Sequence, residues 1–311
     1  LSMDTVSIDS ISFSSYRVAP NLGSNDRLYL GTKNSLDVPL SFIGIKDNYY
    51  WSHSLDSTVT VDSLHFILYS SDSLLTQSST PNLFFNPDSQ FNESKSTYLD
   101  FAGYSIDDWE SIGQPNVIVN TDTSGIFTYT ELVWDIMSID SMLTDTVDSN
   151  LIRNFAIQMI NSDTNFIELF SREATSGDGP MDPKVKMYYR QNFVVDDSTV
   201  HDTVNVTIYS FGDISIIDPG PIDTESMNLG LSNGIGLRSL VSISFDSASI
   251  PEGSLIRKAL LSLPIDTSDS SDGYNIIVDP TDESVDTADV VFETDPYPEI
   301  GYPYRISSDI E

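Results

Sequence analysis

The side chains best suited to bind a ligand are a run of three rings, Tyr49-Tyr50-Trp51, with His53 two residues on. Flat aromatic faces stack on sugar rings, and Tyr and Trp each carry a polar handle, so the run is the candidate for glycan binding. The competing reading is that one or two of these rings cap a hydrophobic core. Acids are the other abundant chemistry, with 47 Asp and Glu against 14 Lys and Arg. Asn161, Asp163 and Asn165 have the one-three-five spacing of a calcium loop. Phe166 stands where the sharp-turn Gly is needed, however, and Arg172 holds the position of the closing Glu, so a hairpin turn is expected there. Asp266, Asp269 and Asp272 do not match that loop either. Calcium is the cofactor this composition admits, held by backbone carbonyls and scattered Asp, with no residue assigned.

Other chemistries have less behind them. The three histidines, His53, His65 and His201, lie too far apart in the chain to suggest a zinc site. The chain has no cysteine, which excludes disulfides, thiolate metal sites and Cys nucleophiles. G-x-S-x-G, P-loop and G-x-G-x-x-G sequences do not occur. A glycosidase needs two carboxylates at a set separation, and no pair stands out among 47. The expectation is a protein without catalysis. A formal charge of −33 disfavours nucleic acid, whose phosphates need a basic face. It suits divalent cations or a salty medium that screens self-repulsion.

The elements that must position these residues read as strands. Residues 239–264 contain Val241, Ile243 and Phe245 in alternation with serines. A second apolar run follows the break Pro251-Glu252-Gly253. Such strands fit an antiparallel sheet that is wet on one face. Earlier strands are expected at 4–13, from Leu28, at 38–45, 59–69, 116–122, 127–136, 154–160, 165–173 and 184–190. Residues 70–98 read as a long decorated connection, and 104–113 as an acidic turn around Trp109. Ile136, Ile139, Leu143 and Val147 recur at helical intervals, which predicts one short helix.

After Arg190 the pattern restarts. Asp202-Thr203-Val204 repeats Asp4-Thr5-Val6 at an offset of 198, and Asn228-Leu229-Gly230 echoes Tyr29-Leu30-Gly31 at 199. The shared order predicts a duplication: a first domain over 1–190 and a second, shorter and unfinished one over 191–311. The expected fold is all-β, two tandem jelly-roll-like antiparallel sandwiches with a short helix in the first. No apolar run approaches the length of a membrane span, so no transmembrane segment is expected. A chain that opens on Leu1 is expected to be a processed form, as after loss of a signal peptide.

Several of these stretches together resemble the DNRLRE-type domain, a secreted jelly-roll β-sandwich related to carbohydrate-binding modules. In the first copy they are Gly31 after a Leu-rich strand, Trp109-Glu110, Val133-Trp134-Asp135 and Asn154-Phe155-Ala156. The most specific is Ser171-Arg172-Glu173, with Pro183 and the strand ending Tyr188-Tyr189 downstream. In the second copy they are Arg238-Ser239-Leu240, Phe245, Ile256 and Ala259. The chain departs from the pattern at Asp37-Val38-Pro39, where a basic residue is replaced, and at the aromatic insertion within 46–57. The resemblance implies an extracellular or cell-surface module. Trp109 and Trp134 are expected in the core, as large aromatics usually are; Ser171, Arg172 and Glu173 are expected to be structural, and Arg172 and Glu173 could form an ion pair. Two functions follow as expectations. One is a structural or adhesive subunit of a surface filament or sheath, self-associating through edge strands. The other is a carbohydrate-binding module of a larger secreted protein, with Tyr49, Tyr50 and Trp51 as its ligand platform.

Overall fold

In a computed structural model the described residues are 10–33, 36–46, 58–73, 75–86, 91–121, 125, 127–139, 152–159, 166–175, 179–221, 230–232, 234–244, 253, 275–278, 291–296 and 306–309. The fold is all-β. The strands are β1 (Ser10–Val18), β2 (Arg27–Lys33), β3 (Leu36–Lys46), β4 (Val59–Ser70), β5 (Pro81–Asn86), β6 (Glu110–Gly113), β7 (Asn116–Thr121) and β8 (Thr128–Asp135). They continue as β9 (Ile152–Met159), β10 (Phe166–Phe170), β11 (Lys184–Val195), β12 (Ser198–Asp218), β13 (Leu237–Ser244), β14 (Asn275–Val278), β15 (Val291–Phe292) and β16 (Ile306–Asp309). Among the described residues no helix is long and apolar enough to cross a membrane. Most of the expected helix, 140–147, lies outside the described residues.

The chain forms two compact units, 19–220 and a discontinuous one made of 1–18 with 221–311. The expected division after residue 190 runs instead through a hairpin. β11 continues past Arg190 to Val195 and pairs with β12 along its whole length, from Lys184↔Tyr209 to Val195↔Ser198. The strand expected to close a domain therefore turns back at Asp196 and Asp197. Both have positive φ, 49° and 63°, as a two-residue hairpin turn with the strands' own twist requires.

The larger unit is a sandwich-like antiparallel sheet that folds over at β12. One half runs β6-β5-β9-β3-β12, with β2 and β10 attached beside β3, and the other runs β12-β11-β4-β8-β7. β12 belongs to both because its first part pairs with β11 and its second, from Ser210, with β3. The register with β3 slips between Ser210 and Gly212, which places a bulge at the corner.

Side chains from both halves meet in the main core. Ile43, Ile45, Phe85, Phe155 and Ile157 come from one layer; Leu64, Phe66, Leu68, Leu132, Trp134 and Met187 come from the other. Phe66 stacks on Phe155 across the layers with ring centroids 4.4 Å apart. The β3–β9 layer is covered on its other face too. There Leu40, Phe42, Ala156, Ile214 and Ile216 pack against Phe91, Tyr98, Phe101, Ile106 and Trp109 of the connection before β6. A doubly covered strand needs no polar face, which is why Leu83-Phe84-Phe85 is a strand, β5, within the expected connection. β6 likewise occupies the end of the expected acidic turn.

In the smaller unit β1 pairs antiparallel with β13, from Ser10↔Ser244 to Arg17↔Leu237, and briefly in parallel with β15. β14 pairs with β16. Of the stretch 239–264 the first strand is present as β13, and its expected partner at 255–263 lies outside the described residues.

Candidate functional site

Three carboxylates from three separate segments converge at the β12 corner of the larger unit. Asp213 follows Gly212 directly and is 1% exposed. Its Oδ2 accepts a hydrogen bond from the Arg172 backbone N–H at 2.8 Å. Glu173 lies in the short 3-10 turn Arg172–Thr175 that ends β10. Ser171 shapes that turn: its hydroxyl donates to the Asn25 carbonyl at 2.6 Å and accepts from the Glu173 N–H at 3.2 Å. Glu93 arrives on the connection after β5, and its Oε1 accepts from the Asp213 N–H at 2.9 Å.

The Glu93 segment is clamped from the β1–β2 side of the same unit. Asn21 Nδ2 donates to the carbonyls of Glu93 and Ser96 at 2.8 and 2.7 Å. Gly23 leaves no room for a side chain, since a Cβ there would stand 2.1 Å from the Glu93 carbonyl oxygen. A Cβ on Gly212 would likewise stand 2.8 Å from Glu93 Oε1. Both glycines are thus cut to the shape of Glu93.

One oxygen from each carboxylate lies within 4.8 Å of the others. Arg172 lies beside them, its Nη1 3.8 Å from Glu173 Oε1, in the ion pair considered from the sequence. That is a long contact, and the Arg172 Nε, Glu173 Oε2 and Asp213 Oδ1 atoms are buried without a hydrogen-bond partner. Burial pushes the Asp213 carboxyl well above the usual Asp range, and the Glu173 and Glu93 charges add to this. Burial also raises the Glu173 carboxyl, with the Glu93 charge next in effect. The protein around the site therefore disfavours having all three acids ionised at once unless a further cation or a proton joins them.

The structure places the other expected residues as follows. Trp109 lies in the outer apolar layer, its ring centroid 5.7 Å from that of Phe42. Trp134 is buried in the main core, and its Nε1–H donates to the Gly113 carbonyl at 2.9 Å. Ser171, Arg172 and Glu173 all belong to the carboxylate site. Tyr49, Tyr50 and Trp51 lie outside the described residues. Glu93 and Asp213 are the members sequence reasoning missed. They sit 80 and 40 residues from Glu173 and share no local spacing with it.

A second feature of the larger unit is the end of the β11–β12 hairpin. β4 accompanies β11 only as far as Gln191, with a last hydrogen bond from the Asn192 N–H to the Thr58 carbonyl. Beyond it, among the described residues, the ribbon has two strands, and four of its exposed side chains are apolar: Phe193 39%, Val194 73%, Val195 52% and Val200 43%. Phe193 stands opposite Val200. Comparison with family models, curated proteins and solved structures finds no match for this chain.

Proposed function

We propose that the protein is a non-catalytic structural or adhesive subunit of an extracellular assembly, such as a filament or sheath, whose copies join through edge strands. The observation that carries this reading is the free end of the β11–β12 hairpin. A two-stranded ribbon whose edges are unpaired among the described residues, with apolar groups on both faces, is a template for pairing with another chain, and natural proteins normally blunt such edges. Here Lys and Pro are lacking from Asn192 to His201, and only Asp196, Asp197 and His201 are ionisable there. In the smaller unit, Ile11, Phe13 and Ile243 of the β1–β13 pair are exposed as well.

The charge of −33 fits the same role. It keeps free subunits apart at low ionic strength and lets salt or divalent cations permit association. The resemblance to the secreted DNRLRE-type domain supports an extracellular setting.

Sedimentation of the full chain across a concentration series, at low salt and in about 0.15 M salt, where the Debye length is about 8 Å, tests the reading. Association that rises with concentration and salt is expected. Val194→Asp with Val200→Asp should abolish it and leave the melting temperature unchanged, because both side chains already face solvent. A chain that stays monomeric at every concentration, or a double variant that associates as well as the parent, refutes it.

A further inference from the structure

We infer that Glu93, Glu173 and Asp213 form a binding site for one divalent cation of calcium size, which fastens the connection after β5 to the corner of the sandwich. The donor set is all oxygen, which selects a hard cation. The dimensions agree. Two oxygens on opposite sides of Ca²⁺ at about 2.4 Å are about 4.8 Å apart, and the three donor oxygens lie within 4.8 Å of one another.

The decisive observation is the pair of orphaned atoms. Asp213 Oδ1 is buried without a partner while Oδ2 is satisfied by the Arg172 N–H, and Glu173 Oε2 is buried and unsatisfied in the same way. A buried carboxylate oxygen with nothing to accept from is costly. A cation between them satisfies both at once. When all three carboxylates are ionised, the single Arg172 guanidinium leaves a net charge of −2, which a divalent ion cancels. Asp182 adds a further negative charge near Glu173. Arg172 limits the affinity rather than filling the site, since its one contact to Glu173 is 3.8 Å and its Nε is unpartnered.

The rival occupant is a proton shared among the acids, and the two make opposite predictions. The full chain, stripped with chelator and held in about 0.15 M salt to screen its surface, is titrated with calcium chloride by calorimetry and melted with and without calcium. One site per chain is expected, with a dissociation constant on the order of 10⁻⁴ M, in the range of extracellular calcium modules. The melting temperature should rise with calcium. Asp213→Asn keeps the shape and removes the charge. In chelator it should melt at or above the parent and gain nothing from calcium. Glu173→Gln should weaken binding at least tenfold, and it serves as the readout should the first variant fail to fold. No saturable heat and no calcium-dependent melting of the parent, or an unchanged response in both variants, overturns the assignment in favour of a proton. Calcium that acted only by promoting association would stabilise parent and variants alike, since Phe193, Val194, Val195 and Val200 stay intact in every sample, so loss of the response in Asp213→Asn separates the site from self-association.

Discussion

Lys184 offers a sharp test of the electrostatics. It opens β11, it is 4% exposed, and its ammonium lies over the Tyr69 ring, 4.6 Å from the centroid, and donates to the Pro180 carbonyl. Burial lowers its pKa from the ordinary 10.5 to about 8; Lys186 pushes the same way, and Asp182 and Glu131 oppose. At about 1.4 kcal/mol per tenfold, holding this lysine charged at pH 7 costs about 3 kcal/mol. Between roughly pH 8 and 10.5 the unfolded chain binds the proton and the folded chain does not, so the Lys184 contribution to stability rises with pH across that window.

Lys184→Met removes the titration. It also removes the hydrogen bond, worth about 1 kcal/mol, and a cation–π contact of about 0.5–2 kcal/mol. The net change at pH 7 is therefore small, and the informative quantity is the difference between variant and parent as pH changes. Relative to the parent, the variant should lose about 2 kcal/mol of its advantage between pH 7 and pH 10. Urea unfolding at both pH values measures this. Tryptophan fluorescence is the suitable probe, because Trp109 and Trp134 are buried in 19–220 and report the unit that contains Lys184. Above pH 10 Tyr69 acts in the opposite sense. Burial, with Glu131 beside it, raises its hydroxyl above the ordinary value, so the folded chain keeps a proton that the unfolded chain loses. A parent–variant difference that is flat from pH 7 to pH 10 would refute the reasoning.

Two further substitutions probe packing. Trp134→Ala empties the centre of the main core and orphans the Gly113 carbonyl, and it should cost about 3–5 kcal/mol by urea unfolding. Gly23→Ala sets a methyl group against the Glu93 carbonyl, so it should cost about 1–3 kcal/mol and lower the calcium response of the melting temperature at the same time.

Much of the strand pattern was legible because one face of most strands meets the core. β4 is the clearest case. Val59 and Val61 alternate, then the phase slips before Leu64, Phe66 and Leu68. The structure shows the cause: Tyr188 stands opposite Ser63 and Tyr189 opposite Val61, so Asp62 is skipped in a bulge. β5 carries no strand signal in its sequence, because Leu83 and Phe85 enter one core while Phe84 packs into another, which erases alternation. The turn at Asp196-Asp197 is not marked in the sequence, because Asp-Asp lacks the glycine that usually signals a two-residue hairpin. The carboxylate site could not be seen at all. Its members become neighbours only when the corner of β12, the turn after β10 and the clamped loop at Glu93 come together, and acids are common everywhere else in the chain. Ser171-Arg172-Glu173 did single out one of its three walls.

The repeated sequence has an unexpected relation to the two units. Asp202-Thr203-Val204, the echo of Asp4-Thr5-Val6, lies in β12 within 19–220, whereas 1–18 belongs with 221–311. The smaller unit is thus split by the larger, and Phe13 meets Val241 only across more than 200 intervening residues. On a ribosome working at about 5–20 residues per second, β1 emerges roughly 10–45 s before β13 exists to receive it. For that interval a strand with alternating apolar side chains, Ile11 and Phe13 among them, waits without its mate while everything through Gly220 is made. Nascent chains on one message are close neighbours, so the same wait gives β1 of one chain access to β13 of another, and intertwined dimers are the failure this topology must avoid or has put to use.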